Sequence, residues 1–280
     1  MTGSIIIPAH DEASVILQTL EPLAELAAGE EIDVVVVANG CSDRTAELAR
    51  TISGVHVLDL PEASKVAALN AAESVTDRFP RVYLDADIVA PAASVLAVLE
   101  TLEGGAALAA RPPFVYDTQG ASWLVRAYYR ARTRLPANNR ALWGAGCYAL
   151  SERGRARFGR FPDLISDDYF VDSLFVESEK QVVPAAPVVV RTPRNVEALH
   201  RVLSRTYTGN TQLEDHVRAA GGDALPGSGN VRQLARTCGT SPAALRDAAV
   251  YVAFAVAGRW IPTRRRSAWH RDDSTRTECA

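Results

Sequence analysis

The sequence contains few cysteines, and none of them form a motif that would hold a metal. The four cysteines are spread over 280 residues, at Cys41, Cys147, Cys238 and Cys279, without any Cys-x-x-Cys pair. This pattern argues against a disulfide framework and against a zinc site. We interpret them as reduced thiols and therefore predict a cytoplasmic protein.

Excess positive charge and long apolar runs are also lacking. The formal net charge is -3 and the isoelectric point is near 6.0, so nothing in the composition indicates nucleic acid as a partner. No uninterrupted apolar stretch reaches the roughly 18 to 20 residues that a membrane-spanning helix needs. Met1-Thr2-Gly3-Ser4 lacks the basic region that precedes the apolar run of a signal peptide, so we expect no such peptide.

Hydrophobic residues, in contrast, make up 48% of the chain, which is typical of a globular protein with a sizeable core. Short apolar runs alternate with segments of helical periodicity. The predicted strands cover residues 4–8, 32–38, 55–60 and 82–84, and the predicted helices cover residues 15–28, 42–52 and 64–74. This alternation predicts an α/β fold with a mainly parallel sheet flanked by helices.

Four polar loops follow these predicted strands, at residues 8–12, 39–43, 61–65 and 85–87. The carboxyl ends of parallel strands meet at one edge of a sheet, where open α/β sheets bind their ligands. We therefore expect the four loops to line one crevice.

Two aspartates end the fourth predicted strand, in the motif Asp85-Ala86-Asp87. Their spacing matches the two-residue period of a strand, so both side chains should project to the same side. Hard divalent cations prefer carboxylate ligands, and Mg²⁺ commonly combines one or two of them with water and substrate phosphates. The alternative is an ordinary turn in which Asp85 caps the next helix.

Four segments, taken together in this order and spacing, resemble the family 2 glycosyltransferases. They are Ile5-Ile6-Ile7-Pro8-Ala9-His10-Asp11-Glu12, Asn39-Gly40-Cys41-Ser42-Asp43-Arg44-Thr45, Lys65-Val66-Ala67-Ala68-Leu69-Asn70 and Asp85-Ala86-Asp87. The match covers roughly the first 90 residues, and later segments extend it to about residue 215. The resemblance implies a GT-A, Rossmann-like fold, a nucleotide-diphosphate-sugar donor, Mg²⁺ or Mn²⁺ as cofactor, and inversion at the anomeric carbon.

The resemblance also implies roles for individual residues. Asp87, helped by Asp85, would hold the metal against the diphosphate, and Gly146 would lie beneath the sugar. Lys65 would lie near the nucleotide, although a solvated lysine at a helix start is an alternative. The predicted donor-binding residues are Pro8, His10, Glu12, Asn39, Lys65, Asp85, Ala86, Asp87, Gly146 and Arg205.

Two residues near the expected base site depart from the common family pattern. His10 stands where many relatives have an aromatic residue, and it can stack on a base or be an ordinary loop residue. Asn39 follows Ala38 where many relatives have paired aspartates. Since an amide offers a donor and an acceptor to the imide edge of uracil, we predict a UDP-sugar.

A second acidic pair, Asp167-Asp168, lies where the family carries its catalytic base. Inverting transfer needs a carboxylate beside the acceptor hydroxyl to take its proton. The resemblance therefore makes Asp168 the candidate base, with Asp167 beside it. From the local sequence alone, the pair could simply be acidic residues in the first turn of a helix.

The second half of the chain continues the pattern of strands and helices. We predict strands at 108–114 and 142–150, an edge strand at 181–190, and helices at 122–134, 196–213 and 243–258. We divide the chain into a glycosyltransferase domain (1–220), a linker (221–230), and a helical extension with a polar tail (231–280). Residues 243–266, an apolar helix followed by arginines, could contact an anionic membrane, although packing on the main domain is the plainer interpretation.

The resulting hypothesis is a metal-dependent inverting glycosyltransferase that moves a single sugar to an acceptor hydroxyl, in polysaccharide, glycolipid or cell-envelope glycan synthesis. Single addition is favoured because the Q-x-x-R-W motif of processive synthases is missing. One alternative is a sugar-nucleotide pyrophosphorylase, although His10-Asp11-Glu12 is acidic where that enzyme needs a glycine-rich loop. Another alternative is a nucleotide-binding scaffold without turnover.

Overall fold

The computed structural model describes residues 2–221, 234, 236 and 241–260, and in these residues a seven-stranded sheet forms the centre of the fold. Its strand order is β3-β2-β1-β4-β7-β5-β8, and a separate two-stranded sheet pairs β6 with β9. The strands are β1 (Gly3–Ala9), β2 (Ile32–Asn39), β3 (Val55–Leu60), β4 (Arg81–Leu84), β5 (Ala109–Arg111), β6 (Phe114–Asp117), β7 (Cys147–Leu150), β8 (Lys180–Val182) and β9 (Val188–Arg191).

Helices follow most of these strands. They are α1 (Ile16–Leu20), α2 (Ala24–Ala28), α3 (Thr45–Ala49), α4 (Lys65–Ala72), α5 (Ala92–Glu103), α6 (Trp123–Thr133), α7 (Glu152–Arg155), α8 (Asp167–Ser173), α9 (Val196–Ala219) and α10 (Pro242–Trp260). No helix within the described ranges combines the length and the apolar character needed to cross a membrane.

The first four strands are parallel, as predicted. β1 lies between β2 and β4, with Ile5 opposite both Val34 and Val82. β1 is buried along its whole length, and β2 almost so, because helices cover both faces of a parallel sheet. Only β7 runs antiparallel within the seven-stranded sheet, between β4 and β5. The carboxyl ends of β1 to β4 therefore share one edge.

Two predicted helices are shorter than their sequence pattern suggested. The helix predicted at 15–28 is divided into α1, a 3-10 turn at Glu21–Leu23 and α2, since Pro22 has no N–H to donate. The helix predicted from Ser42 begins only at Thr45. Ser42 does not cap it, because its backbone N–H and its hydroxyl both donate to Asp11.

Glycine and proline shorten three predicted strands. Of the strand predicted at 142–150 only β7 forms, since Gly144 and Gly146 have φ angles of 84° and 61°. Prolines at 112 and 113 separate β5 from β6 where one strand was predicted at 108–114. Pro184 and Pro187 likewise divide the predicted edge strand into β8 and β9.

By compactness the chain forms two units, each assembled from separate segments. The first comprises residues 1–115, 142–163 and 171–190, and the second comprises residues 116–141, 164–170 and 191–280. The domain boundaries from the sequence stay a prediction. Nearly all of the predicted linker, and the arginines and polar tail beyond residue 260, lie outside the described residues.

The second unit has its own core, formed by α6, α9 and α10. Tyr128 of α6 stacks on Tyr251 of α10, with 5.0 Å between the ring centroids. Asp247 of α10 accepts two hydrogen bonds of 2.8 Å from Arg130 of α6. The helix predicted at 243–258 therefore packs on other helices along its buried face.

Candidate functional site

The turn after β4 fixes the backbone of the predicted metal-binding motif. The N–H of Asp85 donates to the carbonyl of Gly146 at 2.8 Å, and the Asp85 carbonyl accepts from the N–H of Ile88 at 3.1 Å. The next helix, α5, begins only at Ala92, with Pro91 at its N-cap. The predicted turn is therefore present, but Asp85 does not cap the next helix.

The side chain of Asp85 is held by Lys65. Lys65 is the first residue of α4, whose N-cap Ser64 accepts from the N–H of Ala67 at 3.1 Å. The Lys65 ammonium lies 2.7 Å from Asp85 Oδ1, and the side chains are 20% and 41% exposed. Lys65 is thus an ordered cation at the strand edge and more than a solvated residue at a helix start.

Gly146 leaves the space that the Asp85 carboxylate occupies. A Cβ on Gly146 would lie 3.1 Å from Asp85 Oδ2 and 2.6 Å from Ile88 Cγ1. The adjacent Cys147 is fully buried, and this burial, together with the negative charge of Asp85, raises the pKa of its thiol to about 12. Cys147 is therefore an unreactive thiol that packs beneath the motif.

The residues of the motif suit a divalent cation. Asp87 is exposed, whereas Ala86 between the aspartates is buried and its carbonyl accepts from the Thr19 hydroxyl at 2.8 Å. The buried alanine anchors the motif, and its two carboxylates reach solvent on either side. Accessible carboxylates are the ligands that Mg²⁺ and Mn²⁺ prefer.

A second group of possible metal ligands lies in the loops after β1 and β2. Ligand atoms of Asp11, Cys41 and Asp43 lie within 4.8 Å of one another. Asp11 accepts hydrogen bonds from the N–H groups of Ser42 and Asp43, and Asp43 accepts from those of Ala13 and Thr45. Burial raises the pKa of the Cys41 thiol, which disfavours the thiolate that binds metals. We therefore interpret this group as a set of hydrogen bonds that joins the two loops, and not as a metal site.

His10 and Asn39 connect the ends of β1 and β2. The ring Nδ1 of His10 lies 2.6 Å from the Asn39 carbonyl, so that nitrogen carries the proton and donates. The Asn39 side-chain amide donates to the Ala9 carbonyl at 2.8 Å. Its Oδ1 is buried and has no hydrogen-bond partner within the described part of the chain. The donor half of the amide, which the UDP prediction uses, is thus engaged in joining the strands.

Most predicted donor-binding residues belong to the first unit and lie at the shared strand edge or beside it. Pro8 lies within buried β1, and Glu12 is buried with its N–H donating to Thr45 Oγ1 at 2.7 Å. Arg205 is exposed on α9 of the second unit. The predicted donor-binding residues therefore form one group in the first unit, except for Arg205, which belongs to the second unit.

The acidic pair of the second unit occupies the first turn of α8. Asp167 is buried, whereas Asp168 is half-buried and its Oδ1 accepts from the N–H of Tyr169 at 2.8 Å. Negative charge at a helix start is stabilised by the helix dipole, so the simple helix-start interpretation describes the local geometry. Of the two carboxylates, that of Asp168 is the more accessible to solvent.

Sequence reasoning missed two supporting features of the first unit. Asp11 takes a φ angle of 50°, which places its carboxylate over the loop after β2. Arg111 is fully buried at the end of β5, with its guanidinium 4.9 Å from the ring centroid of Phe114. An arginine directly before Pro112-Pro113 was the available signal, but nothing in its spacing indicated burial.

Comparison with known families gives one clear result. The profile of the family described as Glycosyl transferase family 2 matches residues 4–154, which is more than half of the chain. No curated protein sequence matches at a significant level.

Solved structures with the same fold include three proteins of low sequence identity. The mannosyltransferase PcManGT from Pyrobaculum calidifontis, solved with GDP-Man and Mn²⁺, has a TM-score of 0.60 at 18% identity, over 92% of this chain and 87% of that chain. Glucosyl-3-phosphoglycerate synthase from Mycobacterium tuberculosis, with Mn²⁺, UDP-Glc and phosphoglyceric acid, has 0.51 at 19%, over 73% and 79%. S. aureus TarS 1-349 has 0.53 at 14%, over 85% and 70%. These similarities confirm the predicted GT-A fold.

Proposed function

Because the chain belongs to glycosyl transferase family 2 and is a glycosyltransferase, we propose that it moves a single sugar, with inversion, from a nucleoside-diphosphate sugar to an acceptor hydroxyl. The observation that carries this proposal is the arrangement at the end of β4. Asp87 is exposed, Asp85 is fixed by Lys65 at 2.7 Å, and Gly146 has no side chain that would displace the Asp85 carboxylate.

In this proposal Asp85 and Asp87 hold Mg²⁺ or Mn²⁺ against the donor diphosphate. The bound cation would neutralise the negative charge that develops on the departing nucleoside diphosphate. Lys65 contributes a second positive charge at the same edge and keeps Asp85 in one rotamer. Gly146 is assigned to the sugar side of the site, where the absence of a side chain lets Asp85 and Ile88 pack directly against the backbone.

Asp168 is the proposed general base. Its half-buried carboxylate would accept the proton of the acceptor hydroxyl as the new glycosidic bond forms. Asp167, which is buried beside it, would keep the first turn of α8 in place, and Arg205 is proposed to contact the diphosphate. An Asp168→Asn variant should bind nucleotide and lose transfer, whereas a binding scaffold without turnover would be unaffected.

The identity of the nucleotide in the donor is a further part of the proposal. We propose UDP, with His10 stacking on the base, while the buried Asn39 amide, whose donor is bound to the Ala9 carbonyl, supports the strand ends beneath it. Among the similar structures, one was solved with UDP-Glc and another with GDP-Man, so both nucleotides belong in the test. The proposed acceptors are hydroxyls of glycans, lipid-linked sugars or small molecules. The cytoplasm is the proposed location, and residues 243–266 are the proposed membrane contact. Family membership disfavours the pyrophosphorylase alternative.

The proposal is tested by calorimetric titration with UDP and with GDP, each in the presence of Mn²⁺ and of EDTA. We expect metal-dependent binding of one nucleotide that is lost in Asp87→Ala. The matched control is Asp77→Ala, because Asp77 is also exposed but lies before β4, at the opposite end of the strand. If folded protein binds neither nucleotide under any condition, the assignment of Asp85 and Asp87 is wrong.

A further inference from the structure

We propose that Gly209 and Gln212 of α9 are positioning residues that hold the segment carrying the acidic pair and so determine where Asp168 lies. The proposal rests on the proposed role of Asp168 as the base. Neither residue belongs to a motif noted in the sequence. Both residues and the segment that they contact lie within the second unit.

The helix α9 presents two opposite faces. Leu199, Leu203 and Tyr207 lie on one face, within the core formed with α6 and α10. That packing is close, since a Cβ on Gly258 of α10 would lie 2.6 Å from Tyr207 Cε2. Residues 205, 209, 212 and 216 follow the spacing of three and four residues that places them on the other face. One face of α9 is therefore fixed by the core, and the other is available to support a second segment.

The second face contacts residues on both sides of the acidic pair. A Cβ on Gly209 would lie 2.2 Å from Ser166 Oγ and 3.2 Å from Ser166 Cβ, so a side chain here would displace the Ser166 hydroxyl and press on its Cβ. Gln212 Oε1 accepts a hydrogen bond of 3.2 Å from the N–H of Ile165. The ring of Phe170 meets that of His216 edge to face, with 6.1 Å between centroids.

These contacts hold the acidic pair from both ends. Ser166 directly precedes Asp167, and the N–H of Phe170 donates to the Ser166 carbonyl at 3.0 Å, closing the first turn of α8. Moving Ser166 therefore moves the whole turn that carries Asp168. Because a misplacement of about 1 Å at a reacting group can lower turnover on the order of 100-fold, the fit at Gly209 should matter for the rate and not for donor binding.

The first test is a graded series at Gly209. Gly209→Ala and Gly209→Val should lower kcat progressively, by about tenfold or more for valine, with the donor KM unchanged. Adding Ser166→Gly to the valine variant should restore most of the rate. Gly258→Ala is the matched control, since it crowds the opposite face of α9. Turnover is measured as release of UDP or GDP from the donor sugar, at a temperature well below every Tm.

The second test needs no substrate. Gln212→Met keeps the length of the side chain but removes the acceptor, so hydrogen exchange in the peptide 164–170 should become about fivefold faster. Gln212→Glu retains a carboxyl oxygen as acceptor and should keep the slower exchange. Unchanged exchange in Gln212→Met, or unchanged kcat in Gly209→Val, would overturn the positioning role. Absent turnover in the wild-type protein with the expected exchange pattern would instead contradict the proposed function alone.

Discussion

Replacing Glu73 with glutamine should strongly destabilise the first unit, because this one carboxylate serves three largely buried partners. Its Oε2 accepts from Arg81 at 2.5 Å and from Arg155 at 3.0 Å, and its Oε1 accepts from the Tyr83 hydroxyl at 2.5 Å. The side chains of Arg81, Arg155 and Glu73 are only 3%, 13% and 14% exposed. The variant would leave two guanidinium groups in the interior without a compensating charge.

The magnitude follows from the burial of these charges. Removing one partner of a buried ion pair costs about 3 to 5 kcal/mol. Arg81 retains hydrogen bonds to the Ser4 hydroxyl and the Thr76 carbonyl, and the glutamine carbonyl can still accept one bond, so we expect the lower end, about 3 kcal/mol. Since the free energy of unfolding of natural domains is about 5 to 15 kcal/mol, this loss is a large share of the total stability.

The assay is urea unfolding followed by circular dichroism, with the slope compared between variants so that a change of midpoint reports stability. Glu100→Gln is the matched control, because Glu100 is an exposed glutamate on α5 and should change stability by less than about 0.5 kcal/mol. A loss below about 1 kcal/mol for Glu73→Gln would show that the buried arginines are solvated or paired without Glu73, and would refute the reasoning.

Three further predictions concern other parts of the chain. Gly146→Ala should lower stability by about 1 to 3 kcal/mol and abolish Mn²⁺-dependent nucleotide binding by calorimetry, because its Cβ would crowd Asp85; retained binding would contradict this. Lys65→Met should weaken nucleotide affinity about tenfold while Mn²⁺ alone binds more tightly, since a like charge is removed; weaker Mn²⁺ binding would contradict it. The hydrogen bonds from Arg130 lower the pKa of Asp247, so its contribution to stability is complete above the unfolded pKa and is lost as pH falls through the lower folded value. In melting curves between pH 7 and 3, Asp247→Asn should therefore lose less stability on acidification than the wild type.

The parallel sheet could be predicted from the sequence because each of its strands is marked by the composition of a short contiguous segment. β1, β2 and β4 are short, largely apolar runs because they are buried on both faces, and edge strand β3 alternates apolar residues with exposed His56 and Asp59. The errors arose where distant residues intervene. The late start of α3 depends on Asp11, which lies more than 30 residues away. The backbone N–H groups of Ser42 and Asp43 donate to its carboxylate, so these two residues remain in the loop. No local pattern contains that information.

The candidate site was predictable to the same extent. The spacing of Asp85 and Asp87 located the edge of the sheet, but the hydrogen-bond partners of each side chain depend on the fold. Asn39 illustrates the limit, because its donor was predicted to face a base and is directed at the Ala9 carbonyl instead. The contact of Gly209 with Ser166 joins residues more than 40 positions apart, and a lone glycine inside a helical pattern gave no hint of it.

The short helix α4 explains how the strand edge and the interior depend on each other. Its first residue, Lys65, contacts Asp85, and Asn70 exchanges two hydrogen bonds with the backbone of Phe161, at 3.1 and 2.9 Å. Glu73, which caps its carboxyl end, binds the buried arginines. A helix of eight residues gains little stability by itself, so its position depends on these three anchors. Loss of the Glu73 anchor should therefore also loosen the Lys65 contact, and nucleotide affinity would fall although no group at the strand edge has changed.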